Sequence, residues 1–286
     1  MFVTRFAPSP TGYLHRGHAF SALTAAGAAR AVNGRFLLRI EDIDTTRCRP
    51  QYEAAIYEDL AWLGLSWETP VRRQSEHRAD YAAAIDRLAA SGLVYRCFRT
   101  RREVAQAIES APHGAMEAFR GEALPADDEA RRLAAGEPYA WRLSLAAAQA
   151  ALGGFDNLTF EEEGSGPNGE QGRIAANPAL GGDVVLGRKD VGISYHLAVV
   201  LDDALQGVTH VIRGHDLFEA THVQRLLQAL LGLATPVYRH HGLLAGADGR
   251  RFAKRDGAQA LRSLRAAGIS AADLRRELGF GGGNPG

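Results

Sequence analysis

Within its first 92 residues the sequence alternates strand-like and helix-like patterns twice, and that alternation commits the chain to a parallel sheet. Phe2 to Phe6 reads as a short strand. It runs into Ala7-Pro8-Ser9-Pro10-Thr11-Gly12, where two prolines and a glycine forbid helix and strand alike. An alanine-rich helix fits Gly17 to Val32, Asn33-Gly34 marks a turn, and Arg35 to Ile40 reads as a buried strand. Pro50 suits the first turn of the next helix, which carries Ile56, Leu60 and Leu63 at nearly helical spacing. Ser75 is placed to cap a further helix ending at Gly92. A strand, helix, strand, helix beginning of this kind puts its site at the carboxyl ends of the strands.

The middle of the chain departs from this rhythm. Residues 93–190 hold 11 basic and 15 acidic side chains and include the polar, glycine-rich stretch Glu161 to Gly172, which reads as an exposed loop. From Ile193 to Gly214 the βα character returns: Leu197, Val200, Leu201, Ala204 and Leu205 keep helical spacing, and Val208 to Ile212 is strand-like. The pattern predicts an α/β fold: residues 1–92 and 191–257 form one Rossmann-like nucleotide-binding domain, and 93–190 form an inserted α+β subdomain. Residues 258–286 follow as a short helical end, with helices expected over 258–267 and 271–278.

Composition narrows the function classes. The chain has 286 residues with 33 basic and 33 acidic side chains, so it is not a protein that coats nucleic acid indiscriminately. Its apolar runs fall short of the roughly 20 residues that a membrane span needs. The N-terminus lacks a signal-peptide pattern, and two cysteines, Cys48 and Cys97, make no disulfide framework. A cytoplasmic location is therefore expected. Charge is nonetheless uneven: nine basic residues stand against three acidic ones between Arg239 and Arg276. That run opens at the glycine-rich turn Gly246 to Gly249, a combination that suits a polyphosphate.

Neither common phosphate loop is present. The two lysines of the chain, Lys189 and Lys254, lack the Walker A context, and no Gly-x-Gly-x-x-Gly comes after the first strand. That strand leads instead to His15-Arg16-Gly17-His18, two imidazoles where a helix begins. Imidazoles beside the N–H groups of a helix N-terminus make an anion site, and Gly17 permits close approach to the backbone.

Taken together, Arg5 to His18, Leu38 to Arg47, Tyr195 to Asp203, Thr209 to Asp216 and Gly249 to Gly257 resemble the ordered signature blocks of class I aminoacyl-tRNA synthetases, in the glutamyl branch. The resemblance spans residues 1–257 apart from the insertion. It implies that Arg5, Ala7, Ser9, Glu41, Tyr195 and Arg213 line a glutamate pocket, with Glu41 taking the ammonium group. It further implies that His15, Gly17, His18 and Lys254 bind ATP, with His15, His18 and Lys254 acting in catalysis. Magnesium is expected to accompany ATP.

The departures from the family pattern carry information too. Arg251 and Ala253 replace the lysine and serine usual in the second signature, and Arg16 stands where an apolar residue is usual. Relatives often hold zinc in the insertion through a Cys-x-Cys pair, a tyrosine and a further cysteine. Here Cys97 is followed by Arg99, and His113 adds one stray ligand, so no structural zinc is expected and the metal ligand set is empty.

Twenty-nine residues come after position 257, so no anticodon-reading domain is expected. Short free-standing members of the branch transfer glutamate to queuosine in the anticodon of tRNA(Asp). The partners implied are thus L-glutamate, ATP and queuosine-bearing tRNA(Asp), with a monomer as the expected state. Three alternatives stay open at this point: a core that charges tRNA(Glu), a small-molecule nucleotidyltransferase, and a non-catalytic RNA-binding paralogue.

Overall fold

The computed structural model describes residues 1–109, 118–188, 192–244 and 259–281. The chain opens with β1 (Val3–Phe6), α1 (Arg16–Ala31), β2 (Arg35–Ile40), α2 (Pro50–Trp62), β3 (Arg72–Arg73) and α3 (Arg78–Ala90). Five alanines of α1 are buried, and their small side chains let the helix lie close against the sheet. Asn33 takes the left-handed conformation, with φ of 49°, that turns the chain back into β2. The prolines of residues 8–10 keep that stretch out of both helix and strand, so the chain crosses the ends of the strands before α1 begins at Arg16.

Next come β4 (Val94–Cys97), α4 (Arg101–Glu109), α5 (Ala126–Ala134), β5 (Ala140–Leu143) and α6 (Leu145–Leu152). They are followed by β6 (Thr159–Glu162), β7 (Gly172–Ala175), β8 (Val185–Arg188) and β9 (Gly192–Ile193). The chain continues through α7 (Tyr195–Leu205), β10 (His210–Gly214), α8 (Phe218–Leu231) and β11 (Val237–His241). Two short helices, α9 (Leu261–Ala266) and α10 (Ala271–Glu277), come last.

Parallel pairing joins β1 to β2, β2 to β3 and β10 to β11. The two groups meet at β1: Thr209 N donates to Val3 O at 2.9 Å, and Val3 N donates to Thr209 Oγ1 at 2.9 Å. The spatial order is therefore β3-β2-β1-β10-β11, and the winding reverses between β1 and β10. That reversal opens a crevice at the carboxyl ends of those two strands. Apolar clusters cover both faces of the sheet. One contains Leu23, Leu38, Ile56, Leu60 and Leu264, and the other Leu37, Leu197, Val200, Leu226 and Tyr238.

Three local expectations change. Ser75 is not a helix cap. It lies in a 3-10 turn over Gln74–His77, and its N and Oγ both donate to the carboxylate of Asp42, at 2.8 and 2.6 Å. The strand expected from Val208 begins at His210, because Val208 N closes α7 on Asp203 O and Thr209 docks on β1. The polar stretch from Glu161 is not simply an exposed loop. Its Glu162 is 2% exposed, and β6 pairs parallel with β11 at Tyr238↔Glu162 while β7 folds back antiparallel on β6. Residues 159–175 thus extend the main sheet, whereas β4, β5, β8 and β9 form a separate antiparallel sheet.

Asp183, 3% exposed, ties that second sheet together. Its carboxylate accepts from Tyr95 Oη at 2.9 Å, Gly121 N at 2.8 Å and Leu145 N at 3.0 Å. Cys97 is buried beside Tyr95 and Phe119, and the guanidinium of Arg99 lies 5.9 Å from the centre of the Phe119 ring. Among the described residues no three His, Cys, Asp or Glu side chains are grouped to hold a metal ion. His113 lies outside those residues.

Candidate active site

A cavity of about 630 Å³ occupies the crevice between β1 and β10. Arg5, Ala7, Ser9, His15, Gly17, His18, Glu41, Tyr195 and Arg213 all line it. Nine of the ten residues expected at the site are therefore brought together. The tenth, Lys254, lies outside the described residues, together with Arg251, Ala253 and the turn Gly246 to Gly249. The flanks of that segment do reach the site. Leu244 lines the cavity, Ala260 bridges to His15, and Leu261 N donates to Leu14 O at 2.8 Å.

One wall is a buried ionic lattice. Arg5 donates through Nε to Asp203 at 3.0 Å, and Arg39 donates to Asp203 at 2.7 Å and to Glu41 at 3.1 Å. Asp202 behind them accepts from Arg72, Gln74 and Tyr81 at 2.7–3.0 Å. Burial works to raise Asp203, but the guanidinium groups of Arg5 and Arg39 hold it below the usual carboxylate value. Burial wins at Glu41 and pushes it above its ordinary value despite Arg39 and Arg5. An arriving ammonium group would reverse that balance and favour the carboxylate.

Arg213, 5% exposed, completes this wall differently. Its Nη1 donates to Tyr195 Oη at 3.2 Å, Nη2 to Thr221 Oγ1 at 2.7 Å and Leu217 O at 3.2 Å, and Nε to His240 Nε2 at 3.1 Å. Among the described residues no carboxylate pairs with it directly. A buried guanidinium held by neutral partners keeps its charge available for an incoming anion.

The opposite wall is the start of α1. His15 Nδ1 accepts from Gly17 N, and His18 Nδ1 accepts from His15 N, both at 3.1 Å, so the two histidines cap the helix reciprocally. With both Nδ1 atoms accepting, Nε2 is the N–H donor of each neutral ring. Two imidazole donors at the positive end of a helix suit phosphate oxygens. Gly17 has a further reason to be glycine, since a Cβ there would lie 3.0 Å from His15 Cε1.

The expectations passed over Arg39, Asp202, Asp203, Glu162 and His240. A signal for three of them is visible. Arg39 and Glu41 interrupt an otherwise apolar strand pattern, and Asp202-Asp203 sits on a helix whose neighbours are Leu and Val. Charges placed where a core should be are commonly paired. Nothing local marks Glu162 or His240.

Residues 1–279 match the family described as tRNA synthetases class I (E and Q), catalytic domain. A protein of Rhodobacter capsulatus named glutamyl-Q tRNA(Asp) synthetase is 50% identical over 283 residues, covering 97% of this chain and all of that one. A protein of the same name from Nocardia farcinica is 44% identical, over 93% of this chain and 80% of its own. Among solved structures, a glutamate tRNA ligase from Elizabethkingia meningosepticum in complex with its amino acid superposes with a TM-score of 0.74 at 29% identity. That match covers 90% of this chain and 52% of the ligase, so the chain spans about half the length of that enzyme. Matching motifs, a parallel sheet reversed at β1 and β10, and a cavity lined by the first signature together with Glu41, Tyr195 and Arg213 agree with these likenesses: the chain belongs to the class I tRNA synthetases, in the branch that handles glutamate and glutamine.

Proposed function

We propose that this chain activates L-glutamate with ATP, without tRNA, and transfers the glutamyl group to queuosine in the anticodon of tRNA(Asp). The observation that carries the first half is the division of one cavity into two walls. Arg213 and Arg5 offer guanidinium groups for the side-chain carboxylate, Glu41 offers a carboxylate for the ammonium, and His15 and His18 stand at the helix N-terminus on the phosphate side. Ala7 and Ser9, on the turn between β1 and α1, pack against the bound amino acid.

Bound this way, an oxygen of the glutamate α-carboxylate attacks the α-phosphorus of ATP in line. The bond to the bridging oxygen breaks, and pyrophosphate leaves with its electrons. The protein contributes positioning and charge rather than covalent help. His15 and His18 hydrogen-bond the phosphates, and Lys254 balances charge on the departing pyrophosphate. Magnesium would arrive with ATP and supply further neutralisation there. In the second step an acceptor hydroxyl attacks the carbonyl carbon of the adenylate, and AMP departs.

The choice of acceptor rests on the full-length likeness to the Rhodobacter capsulatus protein. Such an acceptor sits in an unpaired loop, where bases are accessible. A zinc-free insertion is part of this reading, as are a monomeric state and a cytoplasmic location. Among the described residues no helix is long and apolar enough to cross a membrane. The deciding experiment is glutamylation of tRNA(Asp) with and without queuosine, beside tRNA(Glu). Incorporation that requires queuosine is the expected result. Incorporation into the 3′ end of tRNA(Glu) would show instead a core that charges tRNA(Glu).

A further inference from the structure

The hairpin of β6 and β7 places a carboxylate behind the glutamate pocket without letting it enter. Glu162 and His240 are each 2% exposed. His240 N donates to Glu162 Oε1 at 2.8 Å, and His240 Nδ1 lies 2.5 Å from Glu162 Oε2. The approach is tight: a Cβ on Gly164 would fall 2.0 Å from His240 O, so glycine is required where the hairpin crosses β11. On the other side of the ring, Nε2 is 3.1 Å from Arg213 Nε. A guanidinium Nε always carries its proton, so Nε2 must accept and the ring proton must sit on Nδ1, directed at Glu162. Burial favours the neutral ring.

This arrangement differs from that of Arg5, which meets Asp203 directly. A carboxylate bonded directly to Arg213 would compete with an incoming carboxylate for the same guanidinium. Interposing a neutral imidazole keeps the counter-charge one ring away while still fixing the orientation of Nε. We propose that Glu162 and His240 are positioning residues, which hold Arg213 oriented without tying it directly to a carboxylate, so that the pocket selects a carboxylate over a carboxamide. This rests on the preceding reading that the pocket takes glutamate.

The test is Glu162→Gln, nearly isosteric but uncharged and able to present an N–H to His240 and turn its tautomer around. Glutamate-dependent ATP–pyrophosphate exchange should show the KM for glutamate raised roughly tenfold, the value of one weakened charge-assisted hydrogen bond. The KM for ATP and the melting temperature should stay as in the wild type, and preference for glutamate over glutamine should fall. An unchanged glutamate KM, or both KM values moving together, would reduce the pair to a structural tie and overturn the proposal. Nitrogen NMR of His240 in the wild-type protein gives a check that no folding defect can obscure. A neutral ring protonated on Nδ1 supports the relay, and a proton on Nε2 or an imidazolium defeats it. Wild-type exchange that ignores glutamate would instead defeat the reading of the pocket, leaving the tautomer measurement to stand or fall by itself.

Discussion

The two walls of the cavity solve the problem of holding charge in opposite ways. On the glutamate wall, side chains from β1, β2, α7, β10 and β11 are buried and cross-linked, with Arg39 wholly enclosed between Asp203 and Glu41. On the proposed phosphate wall the described donors belong to a helix N-terminus, the start of α1 at His15 to His18. Selection of one amino acid requires charges that are in place before substrate arrives, and rigid ion pairs supply that. Expulsion of pyrophosphate requires interactions that strengthen as charge develops on the leaving group. A wall built on the donors of a helix N-terminus suits that second task, and under the proposed function Lys254 joins it.

If this division is right, each wall fails with its own kinetic signature. The largest effect is expected from Lys254→Ala, which should slow adenylate formation by roughly 10²–10³-fold, as loss of a preorganised donor does elsewhere. Near-normal ATP–pyrophosphate exchange in that variant would remove lysine from the phosphate wall. Arg213→Gln should be next. Loss of charge-assisted hydrogen bonds raises the KM for glutamate by about 100-fold while the KM for ATP moves little. A fall in kcat with an unchanged glutamate KM would show that Arg213 acts on the transition state and would blur the line between the walls.

How much of each wall could be read from sequence depends on how it is built. His15, Gly17 and His18 are three neighbours on one turn, so a short motif contains their whole geometry. Residues 1–92 show their strand and helix alternation for the same reason: the periodicity is local, and the observed ranges differ from the expected ones by a few residues at most. The glutamate wall joins Arg5 to Asp203 across 198 positions and His240 to Glu162 across 78. No periodicity reports such distances. Arg5, Glu41, Tyr195 and Arg213 were legible through the family resemblance, whereas their supporting partners were not. The stretch around Glu162 reads as loop because its glycines and acids dominate the local pattern. Burial of Glu162 arises when β11, far along the chain, accepts it as a sheet neighbour. Ser75 fails as a cap for a related reason, since Asp42 claims both of its donors.

The smallest expected effect concerns the support beneath the phosphate wall and should leave glutamate selection untouched. Asp59 of α2 is wholly buried, and neither carboxylate oxygen has a hydrogen-bond partner among the described residues. Arg265 of α9, just after the segment that carries Lys254, approaches only to 3.9 Å. Burial raises the Asp59 carboxyl to about 6, with Arg265 pulling the other way. An acid whose folded value lies above its unfolded one binds its proton more tightly when folded. Stability therefore declines as pH rises through the window from its ordinary 3.8 to about 6, and the cost is complete above that. Asp59→Asn removes the charge while keeping the shape, so it should stabilise the protein by about 1–3 kcal/mol at pH 8 and by almost nothing near pH 4. Denaturant melts at the two pH values measure the difference. An equal gain at both would mean that packing rather than ionisation is responsible, and a shift in the KM for glutamate would mean that the two walls are mechanically coupled.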